Sequence, residues 1–284
     1  KITQNMAGQS KVFLESIPEG VLAKVQAASG LVFSSFLSLH LLNTLTAHMG
    51  DLAYDGFMEM LRLYYQNPIV EYGILGTSLI VHMGSSLIRF FRRQQRLQSS
   101  NEEKTPQESS QTSSPSDTLF SVGSYHVTPR KLNQFAGFLL GNFVLVHAFF
   151  TRGPTFFGEP AANFFIITQS LLAWPAVFYP YYAVLGLSGL YHMSYGIVQA
   201  AKVFGTKVPS AVLPRRKPFW IFIGVSSVAI ISAVFAFGGL YFPTPIEKTI
   251  PFRSFYEKVF PTSLHGLLLP WKNPDSFVGR LSAL

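Results

Sequence analysis

The sequence predicts an all-α integral membrane protein, a five-helix bundle, and three observations predict it. First, 48% of the 284 residues are hydrophobic and only 13% are charged, whereas a soluble globular chain carries about 25% charged residues. Second, the mean hydropathy is +0.28. Third, five apolar stretches lie at about 21–46, 69–91, 132–150, 173–201 and 218–242, each close to or beyond the roughly 20 residues that cross a bilayer as a helix. No Asp, Glu, Lys or Arg lies in the middle of any of them; Lys24, Glu71 and Arg89 sit near ends, where long side chains reach back to water. A single stretch of this kind fits a buried core helix, but five in succession fit a membrane domain.

Composition removes other classes. The chain has no Cys, which excludes a disulfide framework, a zinc-thiolate centre and an iron–sulfur cluster held by this chain alone. The net charge is +8. The basic residues flank the apolar stretches, so they read as membrane topology rather than as a nucleic-acid surface. A first residue of Lys leads us to expect a processed or truncated start.

The segment 1–20 precedes the first helix. If the N-terminus defines one side, that side and the loops sharing it carry 15 of the 22 basic residues, and the positive-inside rule places it toward cytoplasm or matrix. The second connection, 94–129, contains QSSNEEKTPQESSQTSSPSD. Such a polar run cannot form a core and is expected to be a disordered insert. Pro68, Pro129, Pro175 and Pro218 stand where helices are expected to begin, a position that tolerates the missing N–H. The tail 243–284 is interrupted by Pro and is expected to hold short interfacial segments, with Tyr241, Phe255, Tyr256 and Trp271 near headgroups.

Four of the seven His residues lie inside four different apolar stretches: His40, His82, His147 and His192. An ionisable group at membrane depth is costly and points to function; the plain alternative is an inter-helix hydrogen bond. Helix rise sorts the four by depth. His82 and His192 each lie 11 residues from the expected helix end on the N-terminal side, roughly 16 Å at 1.5 Å per residue. His40 and His147 lie 18 and 15 residues along their helices from the same side, roughly 27 and 22 Å. Two depth-matched pairs result.

Paired imidazoles facing each other across a bundle suit axial ligation of haem iron, and bundle cores hold cofactors. Small residues would make room for a porphyrin: Gly84, Ser85 and Ser86 after His82; Ser188, Gly189 and Gly196 around His192; Gly137 and Gly141 before His147; Ser29 and Gly30 on the first helix. Close helix packing uses the same residues. Arg89 and Arg152 stand at the right spacing to meet haem propionates, or to snorkel to headgroups. His48, His126 and His265 lie at or beyond helix ends and read as interfacial or loop residues.

A bundle of five helices with a His on each of the first four resembles the di-haem cytochrome b membrane anchor of fumarate reductases and succinate dehydrogenases. The resemblance implies one haem on His82 and His192 and a second on His40 and His147, the pairing that depth gives separately. The segments VQAASGLVFSSFLSLHLLNT (Val25–Thr44), LIVHMGSSLIRFFRR (Leu79–Arg93), GFLLGNFVLVHAFFTRGP (Gly137–Pro154) and LGLSGLYHMSYG (Leu185–Gly196) resemble more closely the MCP-type mitochondrial outer-membrane adaptors, whose membrane domain shares that anchor fold. This likeness covers about 21–242 and leaves out the tail. It implies an adaptor that recruits a lipid-transfer protein through a Pro-x-Pro motif ahead of the membrane domain. Here Pro243-Thr244-Pro245 has the spacing but follows the last helix, where it serves equally as a helix stop.

Three expectations follow. One is a mitochondrial adaptor in lipid transfer or lipid homeostasis, carrying haem b, with the membrane and a lipid-transfer protein as partners. Another is the anchor subunit of a succinate:quinone oxidoreductase, passing electrons between respiratory-complex subunits and quinone, with Gln26, Ser29 or Asn43 available near a haem. The third is a structural subunit of a larger membrane assembly. None places a complete catalytic centre on this chain, and none involves nucleic acid.

Overall fold

The computed structural model describes residues 16–102, 118–122, 125–260, 262–264 and 269. It is mostly helical. Helix α1 is Glu19–Thr46, followed by a 3-10 turn at Ala47–Met49 and by α2, Asp51–Tyr65. A π-helical stretch, Ile69–Gly76, leads into α3, Thr77–Glu102. Strands β1 (Phe120–Val122) and β2 (Tyr125–Val127) pair antiparallel, with Ser121 opposite His126. Helix α4 is Pro129–Phe156, α5 Phe164–Ala173, α6 Pro175–Val203 and α7 Lys217–Phe237. A 3-10 segment at Ile246–Phe252 precedes α8, Arg253–Val259.

Four stretches are long and apolar enough to cross a membrane: Glu19–Met49, Ile69–Gln98, Pro129–Phe156 and Lys217–Phe237. Helix α6 matches the fourth expected stretch and has the length, 29 residues. It is less hydropathic than the other four because Tyr179, Tyr181, Tyr182, Tyr191 and Tyr195 stand among its aliphatic residues. Proline punctuates the helices as expected: Pro129 and Pro175 open α4 and α6, and Pro218 is the second residue of α7. Pro68 precedes the π-helical stretch, where the Asn67 side chain accepts a hydrogen bond from the Ile69 N–H at 3.0 Å.

One connection differs from expectation. The polar segment expected to be unstructured from 94 begins as helix, because α3 continues to Glu102; the β1–β2 hairpin closes the same segment before α4. Residues 103–117 lie outside the described residues, as do His265 and Trp271.

The chain divides into two compact units. One takes residues up to Leu37, Tyr65–Gln134 and His192–Trp220; the other takes Ser38–Tyr64, Phe135–Tyr191 and the chain from Ile221. The second unit has the denser core. Helix α5 is nearly all buried, with Phe164, Phe165, Ile166 and Leu171 packed among Tyr54, Met58, Val234, Phe237 and Phe252. Each large side chain so buried contributes about 1.5–3 kcal/mol.

The N-terminus of α5 is capped twice. Asn163 accepts from the Phe165 N–H at 2.9 Å, and Asp55 of α2 accepts from the Phe164 N–H at 2.8 Å. Burial raises the Asp55 carboxyl above its ordinary value, and the Phe164 N–H partly offsets this. Arg62 donates to the Ala162 carbonyl, fixing the turn before α5.

Two of the tail aromatics expected near headgroups are buried within the second unit: Phe255 and Tyr256 are 0% and 2% exposed. Tyr256 stacks on Phe150 of α4, and the Phe255 ring lies 3.5 Å from where a Cβ on Gly153 would stand. Tyr241 remains half-exposed.

Lys258 of α8 and Ser254 donate to the Glu159 carboxylate, and both bonds hold it below its ordinary 4.5. A depressed folded-state carboxyl supplies stability above its unfolded value and loses it as pH falls through the folded one. Proteolytic protection of α8 is therefore expected at neutral pH and should decline as pH drops below 4.5. Glu159→Gln should flatten that pH dependence. If wild type and variant respond alike to acid, the contact does not hold the tail.

Candidate functional site

His40, His82, His147 and His192 fall into two facing pairs, and each pair lies wholly within one unit. In the first unit the His82 and His192 rings have centroids 6.0 Å apart with planes at 82°. In the second, His40 and His147 are 5.8 Å apart with planes at 69°. All four are half-buried.

Hydrogen bonds set the tautomer at the first pair. His82 Nδ1 lies 3.0 Å from the Gln26 carbonyl on α1, and His192 Nδ1 lies 3.2 Å from the Asn133 carbonyl on α4. A carbonyl only accepts, so Nδ1 must carry the proton. The neutral imidazole then keeps its lone pair on Nε2. Two helices thus present the His, and two others hold the rings from behind.

Gln26 is the hub of this arrangement. Its carbonyl receives His82, its side-chain N–H donates to Ser86 at 2.7 Å, and its side-chain oxygen accepts from Arg89. Arg89 also donates to Glu19 at 2.7 Å. The guanidinium expected to meet a propionate is therefore held by Glu19 and Gln26. Gly30 makes the approach possible: a Cβ there would stand 2.9 Å from both Cε1 and Nδ1 of His82. Gly84 faces open space, with nothing within 4 Å of a Cβ built on it, and Gly189 is buried in α6, one turn before His192.

The second pair has different surroundings. The Tyr182 ring lies 6.4 Å from His147, edge-on, and its hydroxyl pairs with Ser170 at 3.0 Å. A cavity of about 170 Å³ opens beside His147, lined also by Thr151, Phe178, Tyr181, Tyr182 and Tyr256. Arg152 donates to Thr155 at 2.6 Å and lies over the Phe156 ring, both in the last turn of α4. At three of the four His, a hydroxyl four residues on bonds back to the His carbonyl: Thr44 to His40, Ser86 to His82 and Thr151 to His147. Such back-bonds slightly bend a helix.

Of the remaining His, His48 bridges the Leu45 carbonyl and Ser232, and His126 pairs with Ser121 across the hairpin. Among the described residues, no three His, Asp or Glu side chains converge to hold a metal ion. Any metal centre built on the His pairs would have two protein ligands. Of the residues suggested for a quinone, Gln26 is committed to the His82 network, Ser29 bonds back to Val25, and Asn43 is buried with its side-chain oxygen unpartnered. The carbonyls of Gln26 and Asn133 had no signal in the sequence, since every residue has one.

Comparison with protein-family models, curated proteins and solved structures finds no match for this chain.

Proposed function

We propose that this chain is a haem b-binding integral membrane protein, with α1, α3, α4, α6 and α7 as its membrane helices. His82 and His192 would hold one haem, and His40 and His147 a second. The observation that carries the reading is the tautomer at the first pair: both Nδ1 atoms are tied to backbone carbonyls, leaving both Nε2 atoms as ligands. This is the outer-shell arrangement typical of metal-bound His.

The donor set fits. A haem would take two imidazole donors from the protein, and each His pair would supply two. Two Nε2 atoms each about 2 Å from one iron put ring centroids about 6 Å apart, against the 6.0 and 5.8 Å observed. Edge-to-face ring packing gives similar separations, so the hydrogen bonds decide where the distance does not. Held by two imidazoles, the group would supply one-electron transfer or structural support.

The sequence resemblance favours an adaptor of the mitochondrial outer membrane that works with a lipid-transfer protein in lipid homeostasis. The axial pairing favours a second reading, a di-haem anchor of a succinate:quinone oxidoreductase in the inner membrane. Affinity purification separates them, because the first predicts a lipid-transfer partner and the second flavin and iron–sulfur subunits.

The absorption spectrum of the chain purified in mild detergent tests what both readings share. A Soret band with b-type bands on reduction is expected. A folded protein that stays colourless when haem is supplied during membrane insertion overturns the proposal.

A further inference from the structure

Ser232 of α7 turns its hydroxyl away from its own helix. Ser29, Ser78, Ser85, Ser86 and Ser170 each return theirs to a carbonyl three or four residues back, the ordinary behaviour of a helical serine. Among the described residues Ser232 makes no such bond. It meets two side chains from outside α7 instead: His48, in the 3-10 turn after α1, at 2.9 Å, and Tyr241, beyond the end of α7, at 2.6 Å. All three lie in the second unit.

The directions of these bonds follow from His48. Its Nδ1 lies 2.8 Å from the Leu45 carbonyl. A carbonyl only accepts, so Nδ1 carries the proton and Nε2 of the neutral ring accepts. Ser232 therefore donates to Nε2, and the Tyr241 hydroxyl, facing an oxygen whose hydrogen is already committed, donates to Ser232. A serine hydroxyl within about 2.6–3.2 Å of an imidazole that a third group orients is the arrangement that activates a nucleophile. Here the Leu45 carbonyl is the orienting group.

The surroundings select the substrate. Met49 beside His48, and Leu240 and Phe242 on either side of Tyr241 in the chain, are exposed apolar side chains, and Tyr241 itself is half-exposed. Exposed apolar surface where long apolar helices end suits a lipid boundary.

We propose that Ser232, His48 and Tyr241 form a catalytic site that transfers the acyl group of a membrane-lipid carboxylic ester to water. Ser232 Oγ bonds to the ester carbonyl carbon as its proton passes to His48 Nε2. The Tyr241 hydroxyl donates to the carbonyl oxygen as that oxygen gains negative charge. The bond to the leaving alcohol breaks, and His48 gives that alcohol its proton. A water molecule, deprotonated by His48, then splits the acyl-serine, which releases a carboxylic acid and restores the Ser232 hydroxyl. Neither His pair takes part, so the site is independent of haem.

The test uses the full chain purified in mild detergent, with a fluorescent alkyl fluorophosphonate as probe and dioctanoylglycerol in mixed micelles as ester. Wild type should be labelled on Ser232, located by tandem mass spectrometry, and should release octanoic acid. His48→Gln should slow both about a hundredfold, the scale of a lost general base. Tyr241→Phe should slow acid release about a hundredfold, the scale of a lost oxyanion donor. Ser227→Ala, on the same helix, should change neither.

Folded wild type that takes no label on Ser232 and releases no acid overturns the proposal, as does acid release that survives Ser232→Ala. Hydrolysis of p-nitrophenyl acetate without hydrolysis of dioctanoylglycerol overturns the lipid assignment. If Ser232→Ala does not fold, Ser232→Cys answers the question, because the chain has no Cys of its own and the new thiol is the single one to alkylate. Beside His48 it should react with iodoacetamide at pH 7 about tenfold faster than free cysteine, as a His-paired thiol does. A rate no faster than that of free cysteine overturns the role of His48 as base.

Discussion

Replacing His82 or His192 with Ala should remove one haem and leave the other, the largest effect expected of any single substitution in this chain. On the proposed pairing, loss of either imidazole would leave a bound haem with one protein donor, while the remaining ring keeps its Nδ1 bond to Gln26 or Asn133. About half of the haem absorbance should disappear in each variant if two centres of equal intensity share the chain. Replacing both should cost no more than replacing one, because residues acting through one iron are not additive. His40→Ala and His147→Ala should remove the other half. Pyridine haemochrome quantitation with redox titration reads both predictions. Equal, additive losses from all four variants would break the pairing.

Gly30→Ala should have the next largest effect, and it touches no ligand. The new Cβ would lie 2.9 Å from two atoms of the His82 ring, closer than carbon and nitrogen pack without something moving. The ring cannot turn away and keep its bond to Gln26. Overpacking of this kind costs about 1–3 kcal/mol, and disturbing the outer shell of a metal ligand lowers affinity about 10–100-fold. Gly20→Ala is the control on the same helix, since nothing lies within 4 Å of its added Cβ. Haem titration of both variants checks the claim, and full haem retention in Gly30→Ala would show that His82 does not need its present position.

The sequence shows the long helices and the His pairing for one physical reason: both are periodic. Apolar runs and a fixed rise per residue locate α1, α3, α4, α6 and α7 closely, and they bring His82 near His192 and His40 near His147. Short elements carry no such signal. Helix α5 is ten residues long, too short to span, and is buried by partners as distant in sequence as Phe252. The tail read as interfacial because its Pro and aromatic residues suit a headgroup layer, yet Gly153 lets Phe255 settle against α4. Arg89 read as a propionate partner from spacing, which cannot show that Glu19 and Gln26 reach it from another helix.

The π-helical stretch at Ile69–Gly76 adds one requirement to all of this. Bonding over five residues rather than four fits an extra residue into a turn, and one residue is about 100° of rotation on a 3.6-residue helix. Everything downstream on α3 is dialled by that amount, so the stretch decides which way His82 and Arg89 face. A deletion of Gly73 that relaxed the stretch to α-helix would swing both away from α1, though the residue is nine positions from His82. The aim of His82 is in this sense a matter of counting, stored upstream as a surplus residue that a length-changing mutation could erase.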